Sequence, residues 1–170
     1  MAIIVPFEGR SPRIAPSAFL AENATLVGDV EIGENTSIWF GAVLRADFGP
    51  IRIGANCNIQ DNVVAHPEDH ETGLVLEDDI TVGHSAILHG SRVGKGCLIG
   101  MGAILLSGSV IGPGSLVAAG SVVRENSSIP PGYLVAGNPA EAKKPLEGRA
   151  ARWVAHAASD YAALARKYQT

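Results

Sequence analysis

Branched aliphatic residues recur at every sixth position over most of the chain. A period of six fits neither an α-helix nor the two-residue alternation of a half-buried strand. It is typical of a parallel β-helix, in which each six-residue unit forms a short strand and a turn, and three units close one coil around inward-pointing aliphatic side chains. The length of the repeat predicts about seven stacked coils. The repeating positions are Ile14, Leu20, Leu26, Ile32, Ile38 and Leu44, then Ile53, Ile59 and Ala65, then Leu76, Val82 and Leu88, and finally Val93, Ile99, Leu105, Ile111, Val117, Val123, Ile129 and Val135.

Chance spacing in a β-sandwich is the alternative, but the last series keeps its register over eight units. Glycine often follows the aliphatic residue, as at Gly100, where it would allow turn conformations that a Cβ obstructs. The repeat stops near residues 137–140. Apolar residues then recur three and four positions apart, which predicts an amphipathic helix of about 20 residues. We therefore predict a β-helix domain over 1–140 and a C-terminal helix over 141–170 that packs on the β-helix of its own subunit or of a neighbour. Ordinary packing is expected for Trp153 and Tyr161.

Composition narrows the class of protein. The 170 residues carry a formal net charge of −4 and contain no basic run, which argues against a nucleic-acid surface. No apolar stretch approaches the roughly 20 residues of a membrane-spanning helix, so we expect a cytoplasmic protein without a membrane partner. Cys57 and Cys97 occupy equivalent positions two coils apart, about 9.6 Å from twice the strand spacing. Because a disulfide cannot span that distance, two buried free thiols are expected.

Three histidines carry the candidate chemistry. His66 and His89 each follow the aliphatic residue of the same face, one coil apart, so their Cα atoms should lie about 4.8 Å from each other. Two imidazoles at that spacing can bind one divalent metal, most simply zinc. His84 lies on another face and should point away from this pair. A symmetric oligomer, predicted to be a homotrimer, would bring His84 of one subunit to the pair of the next. Three histidines leave one position for water, the catalytic arrangement of zinc. Solvated surface histidines and a lone acyl-transfer base are the alternatives.

Four polar residues lie in or beside the columns of equivalent positions on successive coils that contain these histidines. Arg45 continues the column of the histidine pair one coil below. Asp47 follows by two residues, which predicts an ion pair with Arg45 across the subunit interface; a structural salt bridge is the alternative. Asp61 takes the same slot as His84 on the adjacent coil and can accept a hydrogen bond from a ring nitrogen that does not bind metal. Gln60 lies beside Asp61 and can hydrogen-bond a metal-bound hydroxide.

These motifs together resemble the γ-class carbonic anhydrases and their bacterial relatives over nearly the whole chain. The resemblance implies a left-handed β-helix, a homotrimer, and zinc, Fe2+ or Co2+ held by His66 and His89 of one subunit with His84 of another. It also implies that Gln60 orients the hydroxide, with three further polar residues around it, and that the activity is the reversible hydration of CO2 to bicarbonate, a lyase reaction. The matching segments are Arg45-Ala46-Asp47, Asn58-Ile59-Gln60-Asp61 with His66, Gly83-His84, Leu88-His89-Gly90, Ile99-Gly100-Met101-Gly102 and Gly137-Asn138-Pro139-Ala140, and the surrounding network comprises Arg45, Asp47 and Asp61.

The sequence departs from the archaeal enzymes of this class in two places. Phe48 stands where those enzymes carry an acidic residue, and the loop after the first histidine is short. Glu68, His70 and Glu71 are the candidates for exporting the proton, and plain solvated loop residues are the favoured alternative. Three other functions remain open: a metal-dependent thioesterase acting on coenzyme A esters, a metal-free hexapeptide acyltransferase, and a non-catalytic assembly module whose metal only joins the trimer.

Overall fold

A computed structural model describes residues 1–68 and 73–168 of the chain. Within these ranges the chain forms short strands followed by one C-terminal helix. In chain order they are β1 (Ile3–Val5), β2 (Arg13–Ile14), β3 (Phe19–Leu20), β4 (Thr25–Ile32), β5 (Ser37–Ile38), β6 (Val43–Ile53), β7 (Asn58–Ile59), β8 (Val64–His66), β9 (Leu74–Leu76), β10 (Thr81–Val82), β11 (Ile87–His89), β12 (Arg92–Val93), β13 (Leu98–Ile99), β14 (Ile104–Leu105), β15 (Val110–Ile111), β16 (Leu116–Val117), β17 (Val122–Val123), β18 (Ser128–Ile129), β19 (Tyr133–Gly137), β20 (Ala140–Pro145) and α1 (Gly148–Tyr168).

Parallel pairing between successive coils arranges the strands on three faces. The first face contains β1, β4, β6, β8, β11, β14 and β17, and the third contains β3, β5, β7, β10, β13, β16 and β19. The second face contains β2, β9, β12, β15 and β18 together with the later halves of β4 and β6, which turn the corner between the first two faces. The fold is therefore the predicted parallel β-solenoid of about seven turns, as expected of the left-handed hexapeptide β-helix.

The interior is built from the six-residue series. Every member of that series from Leu26 to Val135 is buried, and most of these side chains have no exposed surface. Full burial of one such side chain contributes about 1.5–3 kcal/mol. Ile14 and Leu20, in the first coil, are only half-buried because no further coil covers them on the outer side. The core is thus a continuous aliphatic column that depends on each coil covering the next.

Glycine serves two different purposes at the corners of the solenoid. A Cβ at Gly100 would lie 2.5 Å from the backbone nitrogen of Ala119 on the next coil, so this position needs glycine because two backbones approach closely. The left-handed turn conformation occurs two residues later, at Gly102, where φ is +64° and nothing lies near the missing Cβ. The expected obstruction of a Cβ at Gly100 is therefore confirmed, but its cause is the backbone of the next coil and not a left-handed turn conformation.

Helix α1 packs on the third face of its own chain. Its buried residues include Val154 and Ala157, which form a second apolar cluster with Leu98 and Leu116 of the solenoid. The helix begins at Gly148, because residues 140–145 form β20 and pair antiparallel with β19. In the part of the chain that the structure describes, no helix is both long and apolar enough to cross a membrane.

The aromatic residues of α1 have unequal environments. Tyr161 packs edge-on against Trp39, with ring centroids 5.9 Å apart, as predicted. Trp153 is 57% exposed, which corrects the expectation of ordinary packing. The difference arises because α1 leaves the solenoid surface open beside Trp153, and a groove lies there.

Both cysteines are free and buried, as predicted. The strand register places Cys57 and Cys97 two coils apart, since the residues that follow them pair through Thr81 of the intervening coil. Burial raises the pKa of Cys57 to about 12 and that of Cys97 to about 11. Neither thiol is therefore poised to act as a nucleophile.

Candidate metal centre

His66 and His89 lie next to each other at the ends of β8 and β11. The two strands pair in parallel with these residues directly opposite each other. The imidazole centroids are 5.5 Å apart and the ring planes make an angle of 39°. This confirms the predicted stacking, which follows from the six-residue count alone.

Asp47 holds the first histidine of the pair. Its Oδ1 lies 3.0 Å from His66 Nε2, and its Oδ2 accepts a hydrogen bond from Arg45. Burial raises the pKa of Asp47, but the hydrogen bonds from Arg45 and His66 outweigh burial and leave that pKa below its usual value. The Arg45–Asp47 pair forms within one chain, whereas we expected it across an interface. Phe48, which is 54% exposed, packs edge-on against the ring of His66 at 5.7 Å.

Ser107 holds the second histidine of the pair. Its Oγ lies 2.9 Å from Nδ1 of His89. Sequence reasoning missed this residue, although a signal was present: Ser107 follows His89 by 18 residues, one full coil. Serine is too common at the corners of this repeat for that spacing to stand out.

His84 lies at a different corner, as predicted. Its Nδ1 is 2.9 Å from Oδ2 of Asp61, on the adjacent coil. Gln60 is buried, and its Oε1 accepts a hydrogen bond of 3.1 Å from the backbone N–H of His84. Within residues 1–68 and 73–168 of a single chain, no three histidine, cysteine or carboxylate side chains gather into a metal site. The third ligand in a shared site remains a prediction.

The ring nitrogens show how well these residues suit a metal. With the hydrogen on Nδ1, His89 donates to Ser107, while Nδ1 of His84 lies beside the carboxylate of Asp61. Nε2 of each ring is not used by these contacts. In His66 the order is reversed, because Asp47 holds Nε2. Three imidazoles form a donor set that suits zinc, iron and cobalt. The residues therefore fit a divalent metal, with Asp47 in competition for one nitrogen of His66.

The structure describes one of the three residues that are candidates for exporting the proton. Glu68 is exposed beyond the end of β8. His70 and Glu71 lie outside the described residues. The route by which a proton would leave this site stays a prediction.

Comparison with known proteins identifies the family. The bacterial transferase hexapeptide (six repeats) model matches residues 90–125. A solved structure of a hexapeptide transferase family protein from Anaplasma phagocytophilum is 40% identical, with a TM-score of 0.92 and coverage of 98% of each chain. Gamma carbonic anhydrase 2, mitochondrial, from Arabidopsis thaliana is 41% identical over 162 residues, which cover 92% of this chain. The chain belongs to the γ-carbonic anhydrase and hexapeptide-repeat family.

Members of this family carry different names. A carbonic anhydrase from Geobacillus kaustophilus is 51% identical over 104 residues, or 61% of this chain. The chain spans 57% of that relative and 58% of the Arabidopsis protein, so it covers little more than half of each. The structural relative is named a transferase instead. Family membership therefore establishes the fold, but the reaction has to be inferred from the residues of the site.

Proposed function

We propose that this protein is a γ-type carbonic anhydrase, which hydrates CO2 reversibly at a metal site shared between subunits of a homotrimer. The observation that carries the proposal is the pairing of His66 with His89 on adjacent coils, while His84 of the same chain lies at another corner. Each chain then supplies a two-histidine half-site and one donor for a neighbour. Curated relatives named carbonic anhydrase support this reaction.

The surface beside the histidine pair supports a shared site. Val64 and Ile87 precede the buried residues of β8 and β11, so their side chains point outward, and each is 40% exposed. Ile104 and Val122 continue the same column on the next two coils. A solvated sheet face normally carries polar residues at such positions. An apolar column next to the half-site favours coverage by a second copy, and a closed three-fold arrangement gives every half-site one His84.

The metal would be held by His66 and His89 of one subunit and His84 of the next. When bound there, zinc lowers the pKa of a coordinated water to near 7 and supplies a hydroxide at neutral pH. Asp61 contacts Nδ1 of His84 at 2.9 Å, which leaves Nε2 of that ring for the metal. Asp47, itself held by Arg45, fixes the ring of His66 through Nε2, so a metal would bind Nδ1 of that ring or displace Asp47.

Gln60 would orient the reacting groups. Because its Oε1 accepts the backbone N–H of His84, its side-chain NH2 group is left to donate. The side chain is 5% exposed, so it is held in one place rather than free in solvent. A fixed donor beside the metal position can align the attacking oxygen or the developing bicarbonate.

Stopped-flow CO2 hydration, with metal content measured on the same sample, tests the proposal. We expect stoichiometric metal and catalysis in the unmodified protein. His89→Ala should lose both, because one imidazole cannot replace the pair. His156→Ala is the matched control, since His156 is exposed on α1 and its ring Nδ1 contacts the local backbone carbonyl of Arg152, far along the chain from the three histidines. Metal-free protein combined with unchanged activity of His89→Ala would contradict the proposal.

Acyl transfer is the second candidate, favoured by the transferase name of the structural relative. It would use one histidine as a base and require no metal. Acetyl-coenzyme A turnover that survives metal removal, in protein without CO2 hydration activity, would favour it.

A further inference from the structure

Ser107 lies at the corner between the first and second faces, on the coil that follows His89. The two residues are 18 positions apart, and strands β11 and β14, which lead into the two corners, pair in parallel. The backbone N–H of Gly108 donates a 2.8 Å hydrogen bond to the carbonyl of Gly90, so the two corners are fixed against each other. This register places Oγ of Ser107 2.9 Å from Nδ1 of His89.

The backbone around Ser107 holds its hydroxyl in one place. The carbonyl of Ser107 accepts a 2.9 Å hydrogen bond from the backbone N–H of Asn126 on the next coil, so this corner is bonded to the coils on both sides. Oγ of Ser107 also lies 3.4 Å from the position that a Cβ of Gly90 would take, so it is packed beside that backbone. A short side chain with one χ angle on a fixed backbone is a suitable support for an imidazole ring.

The two histidines of the pair are held by opposite nitrogens. Ser107 contacts Nδ1 of His89, whereas Asp47 contacts Nε2 of His66 at 3.0 Å. Among residues 1–68 and 73–168, no hydrogen bond uses Nε2 of His89. Metal-binding histidines commonly bind through one ring nitrogen while the other donates to an oxygen of the protein. His89 already has that arrangement, but Nε2 of His66 is in use.

We propose that Ser107 is a positioning residue of the metal centre, which holds His89 by Nδ1 and leaves Nε2 as the nitrogen that binds the metal. His89 is then the preformed ligand of the pair, and His66 is the ligand that has to bind through Nδ1 or release Asp47. A metal on Nε2 requires the hydrogen of His89 to be on Nδ1, and the oxygen of Ser107 can accept it. The inference rests on the proposed function, because it assumes that the pair takes a metal.

Nitrogen-15 NMR of the metal-free protein tests the arrangement of the two rings without any measurement of activity. In histidine-labelled protein, His89 should carry its hydrogen on Nδ1 and His66 should carry it on Nε2. In Ser107→Ala, His89 should become a mixture of the two tautomers, while His66 keeps its form because its contact with Asp47 is untouched. A general disturbance of the fold would not change one ring of the pair and spare the other.

Competition with a chelator measures the affinity of the assembled protein for Zn2+. Loss of the group that holds a metal-binding histidine usually weakens metal binding about 10- to 100-fold, and Ser107→Ala should show a loss of this size. Ser107→Thr keeps the hydroxyl and should recover most of the affinity. Ser109→Ala is the matched control, because it removes a buried hydroxyl from the same corner that has no hydrogen-bond partner among the described residues. Near-UV circular dichroism and sedimentation verify the fold and the assembly of each variant.

Opposite tautomers in the pair, with weaker Zn2+ binding in Ser107→Ala but not in Ser107→Thr or Ser109→Ala, support the proposal. A hydrogen on Nε2 of His89 in the unmodified protein would overturn it, and so would equal affinities of the unmodified protein and Ser107→Ala. The Zn2+ measurement also separates the two proposals. An unmodified protein that binds no Zn2+ contradicts the proposed function as well, whereas Zn2+ binding that does not depend on Ser107 contradicts only the role of Ser107.

Discussion

Two variants that each lack one histidine should restore metal binding when they assemble into one trimer. His84→Ala keeps the His66–His89 half-site, and His89→Ala keeps the third donor. In a cyclic trimer each complete site takes its pair from one chain and His84 from the next. A mixed trimer contains two copies of one variant and one copy of the other. In both cases it has about one subunit boundary at which an intact His66–His89 pair faces an intact His84. The expected result is about one metal per mixed trimer and about one third of the unmodified activity.

Co-expression with two affinity tags, followed by sequential purification, isolates the mixed trimers. Metal is then measured by mass spectrometry and CO2 hydration by stopped flow. Each variant alone should bind no stoichiometric metal. The matched control mixes His66→Ala with His89→Ala; because both damage the same half-site, no combination of chains completes one. Metal-free mixed trimers of the first kind would refute the shared site, as would full metal binding by His84→Ala alone.

Three further outcomes follow from the described contacts. Gly100→Ala should lower the free energy of unfolding by about 3 kcal/mol, because its Cβ would meet the backbone of the next coil. Gly102→Ala should lower it by about 1–2 kcal/mol, because the residue has a left-handed conformation. Equal losses in urea denaturation would contradict this and show that the coils separate easily. The hydrogen bond from Arg52 lowers the pKa of Asp29, although burial alone would raise it. The ionised Asp29 therefore stabilises the fold above the ordinary carboxyl pKa, and this contribution is lost as the pH falls through the lowered pKa. Denaturation curves of the unmodified protein and Asp29→Asn should therefore differ at neutral pH and converge in acid, and a constant difference would contradict this. With its pKa raised to about 12, Cys57 should resist Ellman's reagent at pH 8 until guanidinium unfolds the chain, and rapid native labelling would disprove its burial.

The sequence by itself determined which residues share a column. Counting by six places His66 opposite His89 and Asp61 beside His84. The strand register confirms the first pair, and a 2.9 Å contact between the side chains joins the second. This works because contacts in a solenoid are made between neighbouring coils at a fixed separation along the chain. Register is then a local property, set by the period of inward aliphatic residues, and needs no knowledge of long-range packing.

Only the tertiary structure decided how those columns are used. The choice of Ser107 as partner for His89, and of Asp47 as partner for both Arg45 and His66, depends on side-chain directions that a six-residue count does not contain. The exposure of Trp153 depends on the position of α1 against a face formed by residues distant in sequence. Periodicity specifies which side of a coil a residue occupies, but the space left between a helix and a sheet is set by packing of the whole chain.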